Sequence, residues 1–153
     1  MTRFYTLLDK ITGTRKTVPN FSTITSIGDG SLYYAFKDCS GLTGSVSFPN
    51  LTSIGYSGLN RAFFNCTGLT GSVSFPSLTS IGESGLNYAF RTCAGLTSVS
   101  FPSLDTIDTE GLSKVFYHCT GITEVHFKSS LSGNSQCTAS YMGCTNATVY
   151  FDL

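Results

Sequence analysis

Residues Ser72–Thr97 read S-V-S-F-P-S-L-T-S-I-G-E-S-G-L-N-Y-A-F-R-T-C-A-G-L-T, and most of the chain restates this phrase with drift. Phe48, Phe75, Phe101 and Phe127 hold its fourth place at intervals of 27, 26 and 26 residues. Cys39, Cys66, Cys93 and Cys119 recur at 27, 27 and 26. A period of this size marks a solenoid, in which each copy buries its apolar face only against its neighbours. Five copies span 17–44, 45–71, 72–97, 98–123 and 124–148, and Val149, Tyr150 and Phe151 restate the opening strand of a sixth.

Within the phrase, Ser72, Val73, Ser74 and Phe75 alternate polar and apolar, as a half-buried strand requires, and Pro76 ends the strand. Leu78–Ile81 forms a second extended piece that Gly82 turns. Leu86, Ala89, Phe90 and Cys93 then fall at i, i+3, i+4 and i+7, which predicts a two-turn helix. Ser84 is its expected N-cap, and Gly95 its expected left-handed stop. Gly41, Gly68 and Gly121 repeat that stop, with Asn146 in the fifth copy. The fold class read from this pattern is α/β, each turn supplying strand, extended segment and short helix.

Stacking such units lines up four apolar columns. They are Phe48/Phe75/Phe101/Phe127, Ile27/Ile54/Ile81/Ile107, Leu32/Leu59/Leu86/Leu112 and Phe36/Phe63/Phe90/Phe116, the last two continuing as Cys137 and Tyr141. Four cysteines at one repeat position indicate repeated burial rather than a disulfide framework. Helices packed ~8–10 Å apart would hold equivalent cysteines beyond bridging distance. All six cysteines are therefore expected as free thiols, Cys137 and Cys144 lying seven residues apart on one helix.

Arg3–Val18 does not fit the repeat. Residues 1–16 read as an N-terminal capping hairpin, with Asp9 opening its turn and Gly13 closing it. An amphipathic helix on Phe4, Leu7, Leu8 and Ile11 is the alternative, which Thr12-Gly13 and the β-branched flank disfavour.

The chain has 153 residues, one domain's worth, and only 12% of them are charged. Nine basic residues balance nine acidic ones, which argues against nucleic-acid binding, since that relies on clustered Lys and Arg. No stretch reaches the ~18 apolar residues of a membrane-spanning helix, so no membrane insertion is expected. The first residues lack the apolar run of a secretory signal, so either the chain is not exported by that route or a signal and neighbouring domains have been trimmed away.

The pattern L-T-S-V-S-F-P-S-L-T-S-I-G followed by A-F-x-x-C-x-G-L-T resembles the BspA-type leucine-rich repeat of bacterial and protist surface proteins, over about residues 17–151. The resemblance implies a right-handed leucine-rich-repeat-like solenoid used for adhesion, extracellular or at the cell surface, with proteins or other cells as partners. Similar arrays occur in tail proteins of gut phages, which would place the chain on a virion. The copies are longer than the family's usual unit, with the extra residues in G-x-S-G-L-N-x. The resemblance brings no catalytic residues and no cofactor.

The residues themselves point away from an enzyme. The two histidines, His118 and His126, take places that other copies fill with Asn, Asp, Thr or Ser, and no G-x-S-x-G elbow is present. A zinc site on His118, Cys119 and His126 fails, because Cys119 belongs to the buried column and His126 to the outer strand face. Asp105, Asp108 and Glu110 crowd one corner without the ligand spacing of a calcium loop. The N-x-[ST] matches at Asn20, Asn50, Asn65 and Asn146 arise readily by chance in a Ser/Thr-rich repeat.

The expected site is a ridge. The outward strand positions are monotonous, Ser47, Ser74 and Ser100, before His126 and Tyr150. The outer side of the expected helices carries Tyr33, Tyr34 and Lys37, then Arg61 and Phe64, then Tyr88 and Arg91, then Lys114, Tyr117 and His118. Aromatic and basic groups are enriched where proteins bind proteins, and rings also stack on sugars. A protein or carbohydrate partner is expected on Tyr34, Arg61, Phe64, Tyr88, Arg91, Lys114 and Tyr117. The alternative is a structural spacer, in which the rings cover their own apolar columns.

Overall fold

The computed structural model describes residues 17–153. The capping hairpin expected over 1–16 lies outside them.

The first strand of each phrase builds one long parallel sheet. Its strands are β2 (Gly44–Ser47), β4 (Leu69–Ser74), β6 (Leu96–Phe101), β8 (Glu124–Phe127) and β9 (Thr148–Tyr150), in that spatial order. The second extended piece builds a narrower parallel sheet of β1 (Ser26–Ile27), β3 (Ser53–Ile54), β5 (Ser80–Ile81) and β7 (Thr106–Ile107). Equivalent residues pair in register, so that Val73 lies beside Val46 and Val99, and Ile54 beside Ile27 and Ile81. The register slips by two residues after Gly44 and by one after Gly71, both glycines at positive φ (96° and 75°). Those slips are β-bulges, and the third copy lacks the bulge glycine, reading L-T-S-V where the second reads L-T-G-S-V. The interval between strand phenylalanines accordingly shortens from 27 to 26.

Stacking in register turns the apolar columns into ring ladders. Phe48, Phe75, Phe101 and Phe127 stack at 5.5, 5.3 and 5.3 Å with nearly parallel planes. Phe21 and Phe151 extend that ladder at its two ends, 4.2 Å from Phe48 and 6.0 Å from Phe127. Phe36, Phe63, Phe90 and Phe116 form a second ladder at 4.9, 5.0 and 5.9 Å. Ile107 alone of its column is only half-buried, because β7 is the last strand of its sheet.

The expected helices are absent from the first four copies, which corrects the α/β reading. Among the described residues the one α-helix is α1, Ala139–Met142. In the second copy, Ser57, Arg61 and Asn65 sit at positive φ (50°, 54° and 61°), one residue in every four. Alternate amides close four-residue β-turns, as Asn60 N–H does on Ser57 O (3.2 Å) and Ala62 N–H on Leu59 O (3.0 Å). The amides between them reach into the next copy, Leu59 N–H to Gly85 O (2.9 Å) and Arg61 N–H to Asn87 O (2.9 Å). A four-residue turn repeat directs Leu59, Ala62, Phe63 and Cys66 inward at the same spacing a helix would. The apolar pattern therefore reports the buried face correctly and the backbone wrongly. Ser84 is left-handed (φ 55°) and caps nothing.

The fifth copy explains itself by the same bookkeeping of backbone donors. Inter-turn bonds in the ribbon run from each copy's N–H groups to the carbonyls of the following copy. In the fifth copy the chain closes its bonds internally instead, Met142 N–H on Thr138 O (3.0 Å) and Gly143 N–H on Ala139 O (2.9 Å). Thr138 Oγ1 caps α1 by accepting from Tyr141 N–H (3.1 Å), and Gly143 ends it at φ 82°. Met142 is fully buried and accepts the Phe116 N–H, while Tyr141 is only half-buried, so Met142 rather than Tyr141 closes the core here.

The repeated glycines also need a different reason. Gly41, Gly68, Gly95, Gly121 and Asn146 are not left-handed. A Cβ on Gly95 would stand 2.4 Å from Leu69 O, and one on Gly121 2.4 Å from Ala94 O. Glycine serves there because the preceding copy's carbonyl fills the space.

All six cysteines are buried and free. Their separation is not that of packed helices, since the ribbons stack at the ring spacing given above. Three of the thiols instead hydrogen-bond back to the preceding copy, Cys66 to Phe36 O (3.0 Å), Cys93 to Phe63 O (3.2 Å) and Cys119 to Phe90 O (2.9 Å).

Candidate functional site

The turn ribbon brings all seven expected site residues together. Tyr34, Arg61, Tyr88 and Lys114 are equivalent, each left-handed with φ between 52° and 56°. Three residues further on, Lys37, Phe64, Arg91 and Tyr117 form a parallel column. Each column alternates ring and cation, and the two are out of phase, giving a checkerboard.

The contacts follow that pattern. Arg61 Cζ lies 5.8 Å from the Tyr34 ring centre and 4.9 Å from that of Tyr88. Arg91 Cζ is ringed by Phe64 (5.0 Å), Tyr88 (5.6 Å) and Tyr117 (5.3 Å). Lys37 Nζ meets Tyr34 at 5.2 Å and Phe64 at 5.8 Å, and Lys114 Nζ meets Tyr117 at 5.1 Å. Lys37, left out of the expected site, is thus part of it, and its interval of 27 from Phe64 was the available signal. The seven expected residues are half-buried, with Lys37 more exposed. The cations lie over ring faces, within 5.8 Å of the ring centres.

Beneath the ridge runs a polar layer that the sequence reading missed. Asn60 and Asn87 are 7% and 8% exposed. Arg61 Nη1 donates to Asn60 Oδ1 (2.9 Å), but Asn87 is followed by Tyr88, and its Oδ1 has no partner. Arg91 Nε is likewise buried and unpaired, so this guanidinium is held by rings and not by that hydrogen bond.

The charge is segregated. Residues 17–153 contain five Lys and Arg against eight Asp and Glu, and four of the five cations are Lys37, Arg61, Arg91 and Lys114. Lys37 pairs loosely with Asp38 at 3.8 Å. Arg61, Arg91 and Lys114 have no carboxylate partner among the described residues, while Lys128, off the ridge, pairs closely with Asp105.

The opposite candidate, the long sheet's outer face, carries Ser47, Ser74, Ser100, His126 and Tyr150 in register. His126 Nδ1 lies 2.9 Å from Asp152 Oδ1, its Nε2 lies 3.5 Å from Glu124 Oε2, and its ring stacks on Tyr150 at 4.7 Å. The Asp152 bond raises the imidazole pKa above its ordinary value, with Glu124 adding to it. Both ring nitrogens face carboxylates, so His126 has no nitrogen aimed at Ser100 and makes no catalytic pair with it. Among the described residues no cluster of His, Cys, Asp and Glu is arranged to hold a metal ion.

The BspA-type leucine-rich repeat region matches residues 31–149 in six copies. The chain belongs to that family. No curated protein and no solved structure matches it. Membership in the BspA-type family carries the reading of a parallel repeat scaffold suited to protein interaction. Among the described residues no helix is long and apolar enough to cross a membrane.

Proposed function

We propose that this BspA-type solenoid is a non-enzymatic adhesion module, carried at a cell surface or on a virion, that docks an acidic protein surface on the ridge. The observation that supports this is the unpaired charge. In a chain where carboxylates outnumber cations over residues 17–153, three ridge cations stand without one. Cations held rigidly and unneutralised suit complementary docking, which steers association and sets specificity. Ring faces covered by cations favour protein over glycan along the ridge, because sugars stack on open faces.

A structural spacer is the second reading, and one observation favours it: Lys37, Arg61 and Arg91 each lie over a ring of a neighbouring copy, which clamps successive copies together. Poly-L-glutamate is a direct probe. Binding that weakens steeply with salt, and that Arg61→Gln with Arg91→Gln abolishes in a still-folded protein, supports docking. Absence of binding by the intact chain, with the same variants merely melting earlier, supports the spacer.

A further inference from the structure

The checkerboard stops at Lys114 and Tyr117. Its alternation calls for a ring beyond Lys114 and a cation beyond Tyr117, but the fifth copy forms α1 instead. Gly143 closes against Tyr117 so tightly that a Cβ there would stand 2.9 Å from Tyr117 Cα. The missing rung leaves a pocket of roughly 270 Å³ between Lys114, Tyr117 and His118 on one side and Ser140, Thr145 and Asn146 on the other.

The buried Cys119 and Cys144 contribute to its lining. Burial pushes their thiols up to about 12 and about 11, so this part of the wall is uncharged and unreactive near neutral pH.

We infer that this pocket binds a carboxylated sugar. Lys114 has one ring contact and no carboxylate partner among the described residues, and its ammonium supplies a single positive charge for a single carboxylate. The hydroxyls of Ser140 and Thr145 and the amide of Asn146 offer donors and acceptors for ring hydroxyls. A carboxylate without hydroxyls would leave the polar wall unused, and a doubly charged phosphate ester would lack a second fixed cation. Lys114 and Tyr117 are shared with the ridge, but the pocket does not rest on the ridge having a protein partner.

The test is a titration of the isotopically labelled chain with glucuronate, with glucose and acetate as the neutral and the sugar-free comparisons. Glucuronate should shift the amides of Lys114, Tyr117 and Asn146. Lys114→Gln, or Thr145→Val with Asn146→Ala, should weaken it by ~10-fold or more, the loss expected for hydrogen bonds involving a charged group. Arg61→Gln, on the ridge but outside the pocket, should leave it unchanged. Glucose binding as well as glucuronate overturns the need for the charge, and acetate binding as well overturns the sugar. A loss in Arg61→Gln equal to that in Lys114→Gln would move the site to the ridge. No shift at ~50 mM glucuronate, where even a millimolar site is filled, would refute the pocket altogether.

Discussion

Gly95 has a carbonyl where a side chain would begin. With Leu69 O 2.4 Å from the Cβ position, Gly95→Ala must push two copies apart, and we expect a loss of ~1–3 kcal/mol, the usual cost of overpacking. Gly95→Asn should be at least as damaging, because no left-handed backbone is present for asparagine to favour. Thermal melts of the two variants check this, and an asparagine variant as stable as the native chain would restore the left-handed reading. The thiols make a second residue-scale prediction. A thiol reagent should leave the native protein largely unmodified and find six thiols once it is denatured, since all six are buried and free. The cysteine column was legible because burial repeats with sequence. The reason for glycine was not, because a clash with a neighbouring copy's backbone leaves the same sequence mark as a left-handed turn.

At the scale of elements, the end of the array is the informative part. Leu112 N–H finds no backbone acceptor, and Gln136 Oε1 takes it at 3.1 Å while Gln136 Nε2 donates to Asp108 O at 2.8 Å. Gln136→Ala strands both groups at the rim of the core, and a destabilisation of ~1–2 kcal/mol by chemical denaturation is expected. The His126 clamp gives β9 a pH-dependent attachment. Its pKa is raised in the folded chain, so its contribution is fully present below the ordinary value of ~6.5 and is lost as pH rises through the folded value. The melting-temperature gap between the native chain and Asp152→Asn should therefore be widest near ~pH 6, where the imidazole is charged, and narrow as the solution is made alkaline. A gap independent of pH would remove the clamp. Strands were readable from alternation in residues such as Val73 and Phe75. The ribbon was mistaken for helix because a four-residue turn and a 3.6-residue helix both face Leu59, Ala62, Phe63 and Cys66 inward. What separates them is the destination of the amide bonds, and that lies in the next copy.

Across the whole molecule, repetition converts single residues into continuous surfaces. The two phenylalanine ladders fill the inside, and the ring–cation checkerboard runs along the outside of the same turns. The composition of the ridge could be read from the sequence, and its internal saturation could not, because out-of-phase alternation becomes contact only when copies stack in register. Each ridge cation–ring contact is worth ~0.5–1 kcal/mol at a partly exposed site, so replacing one cation should lower stability modestly without unfolding the chain. That leaves the docking claim open to direct measurement. Adding poly-L-glutamate to the labelled native chain at low salt should move the amides of Tyr34, Arg61, Tyr88 and Arg91 and leave those of Ser74 and Ser100 in place. Movement of Ser74, Ser100 and His126 instead, or of no residue at all, would contradict the account.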